Sequence, residues 1–136
     1  MMKTTLLLVF AAAVLLAHHG DAGRYDENVV VMTGTVVDLQ WVDPHAVIIL
    51  DVPNDKGVNV RWQAELGGRT ALARTGWTKN TLKPGDKVTL TGRKVKSGAP
   101  YMNLTERANV VMTATGKELF RTPNFGEPAP PPTPAK

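Results

Sequence analysis

Three histidines are the residues of this sequence best suited to chemistry. His18 and His19 directly follow Ala17, and His45 lies well downstream. If a secretory signal is cut after Ala17, His18 gains a free α-amine that chelates a metal ion together with its own imidazole. A further imidazole completes a compact nitrogen site of the histidine-brace type, which Cu(II) prefers. The sequence therefore predicts a copper site that joins His18 to His45, or to His19 through its deprotonated amide.

A structural role is the alternative for these histidines. Two histidines near a signal cut are also typical of a solvated chain start. A histidine after proline, as His45 follows Pro44, commonly bonds to the backbone of a turn. In the metal interpretation, Asp43 or Asp26 would add an oxygen ligand.

The first 17 residues predict an export signal. A short basic start ending at Lys3 precedes an uncharged run of 14 residues, Thr4 to Ala17. This run is shorter than the about 20 residues that a membrane-spanning helix needs, and it ends on a small residue. A rival cut follows Ala22, and an uncleaved anchor is the other alternative. We expect a periplasmic or secreted protein without a transmembrane segment after cleavage.

Composition excludes several classes of function. The chain of 136 residues has no cysteine, which excludes disulfides, thiolate metal sites and cysteine nucleophiles. Its length fits one domain. The single serine, Ser97, lies in a predicted turn, and no nucleophile–base pair or phosphate loop is present. We therefore expect no catalytic residues and a protein that is not an enzyme.

Alternating apolar residues predict a small β-barrel. Strands are expected over 29–42, 46–52, 58–66, 87–95 and 101–112, with a bulge or bend at Gly34. A two-turn helix is expected at 69–75, closed by Gly76. Three strands, one helix and two strands are typical of an OB-like five-stranded Greek-key barrel.

The third strand gives the sharpest prediction of burial. Its alternation places one set of side chains inward: Val58, Val60, Trp62, Ala64 and Leu66. The predicted organisation is a signal peptide at 1–17, an N-terminal arm at 18–28, the barrel at 29–120 and a Pro-rich, unpacked tail at 121–136.

A second group of residues is a candidate ligand-binding surface. Its members are Trp41, Asp43, Glu65, Arg74 and Trp77. Glu65 and Arg74 flank the predicted helix and would pair with each other. The alternative for Trp77 is that it plugs one end of the barrel.

Charge is unevenly distributed along the chain. Residues 21–65 contain eight acidic and three basic side chains, and residues 69–96 contain eight basic and one acidic side chain. A basic patch on an OB-like barrel suggests nucleic acid, but export and the lack of stacking aromatics on the polar strand face argue against it. The two halves would complement each other, and an anionic partner such as lipid headgroups or an acidic protein stays open.

Several short motifs together resemble a known family. They are His18-His19-Gly20, Tyr25-Asp26, Thr33-Gly34-Thr35-Val36, Trp41-Val42-Asp43-Pro44-His45, Trp62-Gln63-Ala64-Glu65-Leu66, Arg74-Thr75-Gly76-Trp77-Thr78 and Leu82-Lys83-Pro84-Gly85-Asp86. Their order and spacing resemble the DUF6152 family of small exported bacterial proteins. The resemblance implies a fold and export, and no reaction. By the same resemblance, Gly20 stands where serine is usual, Asp21 where an aromatic is usual and Asp43 where asparagine is usual.

Two hypotheses of different classes follow. The first is a Cu(II)-binding protein that uses His18 and His45. The second is a non-catalytic module without metal, which contacts a protein or envelope partner through its barrel face or basic region. The mass of the exported protein separates them, because a start at Gly23 would remove both His18 and His19.

Overall fold

Strands form nearly all of the regular structure, as the sequence predicts. The structure, a computed structural model, describes residues 23–132, 134 and 135. The elements are β1 (Val30–Gln40), β2 (Val47–Pro53), β3 (Asn59–Glu65), α1 (Arg69–Arg74), β4 (Lys87–Lys94), β5 (Tyr101–Asn103), β6 (Asn109–Met112) and β7 (Glu118–Arg121). Among the described residues, no helix is long and apolar enough to cross a membrane.

Five strands close into a barrel. β1 pairs antiparallel with β2 and with β4, and β2 pairs antiparallel with β3. β5 completes the ring, because it runs parallel to β3 and antiparallel to β4. The predicted all-β barrel is confirmed, and its strand order is consistent with an OB-like Greek key.

The predicted fifth strand is divided into two pieces. β5 and β6 both pair with β4, but residues 104–108 between them are irregular, and Arg107 has a left-handed φ of 48°. β7, which the sequence did not predict, pairs with β6. The packed chain continues past residue 120, since the Thr122 amide donates to the Ala108 carbonyl at 2.9 Å.

Gly34 serves close packing rather than a bulge. The register shift in β1 lies between Val36 and Asp38, so the predicted bulge at Gly34 is misplaced. A Cβ at Gly34 would lie 2.8 Å from the Asp51 carbonyl oxygen and 2.8 Å from a Leu50 methyl. Glycine is therefore required there because β2 passes too closely for any side chain.

The core lies inside the barrel and confirms most of the predicted alternation. Ala64 and Leu66 of the predicted inward set are fully buried, and Val60 and Trp62 are half-buried. Val58 is 58% exposed, so its predicted inward position is wrong. The reason is that β3 begins at Asn59, and Val58 belongs to the preceding turn, where its amide donates to the Asn54 side chain.

The helix is short and contributes one buried side chain. α1 ends at Arg74, and Gly76 follows with a φ of +91°, as the predicted cap requires. Leu72 packs into the barrel core together with Trp77 and Leu82. The helix thus lies in the connection between β3 and β4 and places Leu72 in the core.

Candidate functional site

His45 lies at the entrance to β2, on a turn fixed by backbone pairing. The next residue, Ala46, is fully buried. The Ala46 amide donates to the Gly67 carbonyl, and the Leu66 amide donates to the Ala46 carbonyl. These two bonds extend the β2–β3 pairing and hold the His45 ring beside the end of β3.

The hydrogen bonding of His45 fixes which ring nitrogen is available. Nδ1 lies 3.0 Å from the Leu66 carbonyl oxygen. A carbonyl oxygen accepts and cannot donate, so this bond requires the proton to be on Nδ1. In the neutral ring, Nε2 then carries the lone pair. Nε2 has no partner within the described part of the chain, and 47% of the side chain is exposed.

The carboxylate of Glu65 lies beside the His45 ring. Its Oε1 lies 3.4 Å from His45 Nδ1. The hydroxyl of Tyr101 donates to the other carboxylate oxygen, Oε2. Tyr101, Glu65 and His45 thus form a connected polar row across the ends of β5, β3 and β2, and Glu65 does not form the predicted pair with Arg74.

Asp43 is engaged by the helix. Its Oδ1 accepts from the Arg69 backbone amide at 3.0 Å, and its Oδ2 accepts from the Arg69 guanidinium at 2.9 and 3.1 Å. Gly68, the residue at the helix start, has no side chain to cap it. Asp43 therefore caps α1 from the β1–β2 loop, and both of its carboxylate oxygens accept hydrogen bonds from Arg69.

The other candidate residues of the predicted binding surface have different surroundings from one another. Trp41 and Asp43 line a shallow cleft of about 210 Å³ with Arg69, Thr70 and Ala73. Arg74 is exposed at the end of α1. Trp77 is only 3% exposed, and its Nε1 donates to the Leu119 carbonyl. Trp77 thus belongs to the core and holds β7, as its alternative role as a barrel plug predicts.

The described chain alone does not assemble a metal centre. Among residues 23–132, no three His, Asp or Glu side chains are grouped so that they could hold a metal ion. His18, His19 and the predicted signal peptide lie outside the described residues. His45 is therefore the one of the three predicted histidine ligands whose surroundings the structure shows.

Comparison with known proteins agrees with the motif order. A family model described as a family of unknown function, DUF6152, matches residues 6–102. The chain belongs to this family. No curated protein matches the chain. The matched range includes His45, Glu65 and Tyr101, but the family's description assigns no role to any of them.

Two residues of this DUF6152 site were not found from the sequence. Tyr101 entered the analysis only as the start of a strand, and Arg69 only as the start of a helix. Both act through pairings of distant chain segments: Tyr101 reaches Glu65 because β5 lies parallel to β3. A local pattern contains no signal for such a contact.

Three arginines lower carboxyl pKa values in this DUF6152 protein. Hydrogen bonds from Arg69 hold the pKa of Asp43 below its usual value, and those from Arg61 do the same for Asp51. Arg121, with help from Asn109, lowers the pKa of Glu118. Because these pKa values are lower in the folded state, the stabilisation is complete above about pH 5 and is lost as pH falls further.

We accordingly expect the urea midpoint to fall as pH is lowered from about 5 to 3. The variant Asp43→Asn removes one of the responsible groups, so its midpoint is expected to fall less over the same interval. Asp55→Asn, in the exposed β2–β3 turn, is the matched control. Equal acid sensitivity of Asp43→Asn and the unmodified chain would contradict the assignment of Asp43.

Proposed function

We propose that this chain is an exported protein that binds one Cu(II) ion. In this proposal, cleavage after Ala17 frees the α-amine of His18. The amine and imidazole of His18 bind the ion together with Nε2 of His45. The observation that carries the proposal is the bond from His45 Nδ1 to the Leu66 carbonyl oxygen.

The setting of His45 is the one that metal-binding histidines use. Such a histidine usually donates its second ring N–H to a carbonyl or carboxylate, which fixes the tautomer and raises the basicity of the ligating nitrogen. His45 Nδ1 donates to the Leu66 carbonyl at 3.0 Å, and the Glu65 carboxylate lies 3.4 Å from the same nitrogen. The lone pair of its Nε2 is thereby left for a metal ion, on a turn that backbone hydrogen bonds hold in place.

A series of side-chain contacts joins the start of the described chain to His45, which supports a role for His18. The guanidinium of Arg24 lies 5.4 Å from the centre of the Tyr101 ring, and Tyr101 contacts Glu65, which contacts His45. His18 precedes Gly23 by five positions. An extended chain covers about 3.3–3.6 Å per residue, so His18 can lie up to about 17 Å from Gly23.

The donor set favours copper over other divalent ions. An amine and two imidazoles supply nitrogen in a tetragonal arrangement, and Cu(II) both prefers that geometry and leads the affinity order of divalent ions. Asp43 adds no oxygen ligand in this proposal, because Arg69 already occupies its carboxylate. The site needs no cysteine, which this chain lacks.

Calorimetric titration with Cu(II) tests the proposal on protein that begins at His18. The comparison is the same chain with the α-amine of His18 acetylated, which turns the primary amine into an amide and adds no new amine. We expect acetylation to weaken binding at least about a hundredfold, because covalent linkage of two donors contributes gains of that order. One extra Met after Lys136 is the control and should change nothing.

Two results would contradict the proposal. Equal affinity of the two N-terminal forms would reject the role of the His18 amine. Affinity no greater than that of a dihistidine peptide would reject the copper function, and an interaction module without metal would then explain the fold better. An exported protein whose mass corresponds to a start at Gly23 would exclude His18 altogether.

A further inference from the structure

The shallow cleft between the β1–β2 loop and α1 combines an aromatic ring with a charged pair. Its volume is about 210 Å³, and the residues that line it are Trp41, Asp43, Arg69, Thr70 and Ala73. Pockets that enclose a whole drug-sized ligand usually measure about 300–1,000 Å³. The cleft therefore has the size to hold one unit of a longer molecule, whose other units extend along the protein surface.

The ring of Trp41 forms the apolar wall of the cleft. Trp41 directly follows β1, is half-buried and packs against the barrel core. Ala73 of α1 also lines the cleft and contributes only a methyl group there. Because the core already holds the indole, a flat ligand ring that packs on it does not have to order a mobile side chain.

The pair of Asp43 and Arg69 forms the polar wall. A guanidinium has five N–H donors, and Asp43 Oδ2 accepts from two nitrogens of Arg69, Nε and one terminal nitrogen. The Arg69 side chain is 50% exposed and that of Asp43 is 53% exposed. Within the described chain, Asp43 Oδ1 accepts one hydrogen bond, from the Arg69 amide, so it has a lone pair for a second donor. The pair can thus donate to one hydroxyl group of a ligand and accept from the next.

Close packing of the loop on the helix fixes the polar wall before a ligand binds. A Cβ at Gly68 would lie 3.0 Å from the Pro44 carbonyl oxygen and 3.4 Å from Asp43 Oδ1. Glycine at this position lets the loop approach the start of α1 closely enough for the Asp43–Arg69 pair to form. Polar groups that are already in place lose little conformational entropy on binding.

The charge of the cleft selects among classes of ligand. Of the described residues that line it, Arg69 is the one base and Asp43 the one acid, and the two neutralise each other. Nucleic acids bind mainly through Lys and Arg contacts to phosphate, which the Asp43 carboxylate would repel. A wholly apolar ligand would remove water from the pair without replacing its hydrogen bonds. A neutral ligand with a flat C–H face and adjacent hydroxyl groups satisfies both walls.

We propose that this cleft binds one sugar unit of a neutral β-1,4-linked glycan. A sugar ring with equatorial hydroxyl groups has C–H bonds on its flat faces and hydroxyls around its edge. One face packs on Trp41, and two neighbouring hydroxyls bond to Asp43 and Arg69. The 1,4-linkages leave from opposite edges of the ring, so the adjoining units extend out of the shallow cleft.

The position of the cleft in the fold supports this ligand class. OB-type barrels bind oligosaccharides through the loop between their first two strands, among other elements, and Trp41 and Asp43 lie in the corresponding loop. The glycan site uses neither His18 nor His45, so it is a second site, separate from the proposed copper site.

Titration of the whole chain with cellotetraose and with chitotetraose, followed by NMR of the indole and backbone N–H groups, tests the glycan site. We expect a Kd of about 1 mM, since one sugar unit supplies about a dozen non-hydrogen atoms of contact. The signals of the Trp41 indole and of the α1 amides should shift. The indole of Trp77, which donates to the Leu119 carbonyl in the core, should not shift.

Two variants and a matched control locate the binding. Trp41→Ala removes the stacking surface and should weaken binding about tenfold. Arg69→Lys keeps the charge but loses the planar fork, and it should weaken binding about fivefold. Arg61→Lys alters the same kind of pair outside the cleft, where Arg61 of β3 bonds to Asp51 of β2, and should leave the Kd unchanged.

The possible results separate a glycan site from the alternatives. Shifts centred on Trp41 that Arg69→Lys reduces and Arg61→Lys does not would support the site, even if Trp41→Ala fails to fold. Absence of a Trp41 shift with both glycans at about 10 mM, ten times the expected Kd, would overturn it. So would a shift of Trp41 by a short oligothymidylate but by neither glycan, which would make the cleft a nucleic-acid site. Cu(II) is left out of these titrations, so the copper proposal is tested separately.

Discussion

We expect His45→Ala to weaken Cu(II) binding by more than about a hundredfold. Removal of the residue that hydrogen-bonds to a ligating histidine already lowers metal affinity about 10–100-fold, and this variant removes the ligand itself. The fold should survive, because 47% of the His45 side chain is exposed. Calorimetric titration gives the affinity, and the unfolding midpoint of the apoprotein shows that the barrel is intact.

Glu65→Gln changes the residue that supports His45 and leaves the proposed ligand itself unchanged. The amide keeps the shape of the side chain but removes the charge that faces His45 Nδ1 and accepts from Tyr101. We expect about a tenfold loss of affinity, at the lower end of the range for a supporting residue. Asp55→Asn is the control for loss of one negative charge. For the first variant, a Kd for Cu(II) that His45→Ala leaves unchanged would show that His45 is not a ligand.

The largest expected effect on stability comes from Leu90→Asp. Leu90 lies in the centre of β4, between β1 and β6, and is fully buried. An unpaired carboxylate there would lose its hydration without gaining a partner. We expect a loss of more than about 4 kcal/mol, a large part of the about 5–15 kcal/mol that keeps such a domain folded.

The next residue in the strand supplies the matched control. Thr91 faces the outside of the barrel opposite Val31 and Asn109 and is half-buried. Thr91→Asp should therefore change stability by about 1 kcal/mol or less. Chemical denaturation of both variants measures the difference. Equal stability of the two would mean that the register of β4 is wrong.

The barrel could be predicted because each strand is marked by a pattern of residues that are close together in the sequence. Alternation within one strand separates inward from outward residues, as Ala64 and Leu66 show. The same rule failed at Val58, because the turn before β3, in which the Val58 amide donates to the Asn54 side chain, delays the start of the strand to Asn59. It also failed along 101–112, where Arg107 in a left-handed conformation interrupts the strand between β5 and β6.

The candidate site could be predicted only in part. His45 was found because histidine is rare in this sequence and chemically distinctive. Glu65 was predicted as a binding residue, but its contact with His45 was not, because Leu66, Glu65 and Tyr101 come together only through the pairing of β2, β3 and β5. Asp43 stays a predicted ligand-binding residue, and its hydrogen bonds with Arg69 could not be predicted because they depend on where α1 begins in space. Contacts between side chains on different strands of a barrel leave no pattern in the spacing of residues along the sequence.

The proposed copper site is rich in nitrogen and is made by His18 and His45. Electron paramagnetic resonance of the one-to-one Cu(II) complex tests it most directly, on chain that begins at His18 and carries ¹⁵N-labelled histidine. We predict a tetragonal spectrum whose nitrogen splitting changes with the label and loses one coupled nitrogen in His45→Ala. A spectrum of oxygen-bound Cu(II), or a nitrogen splitting that His45→Ala leaves unchanged, would contradict the proposed site.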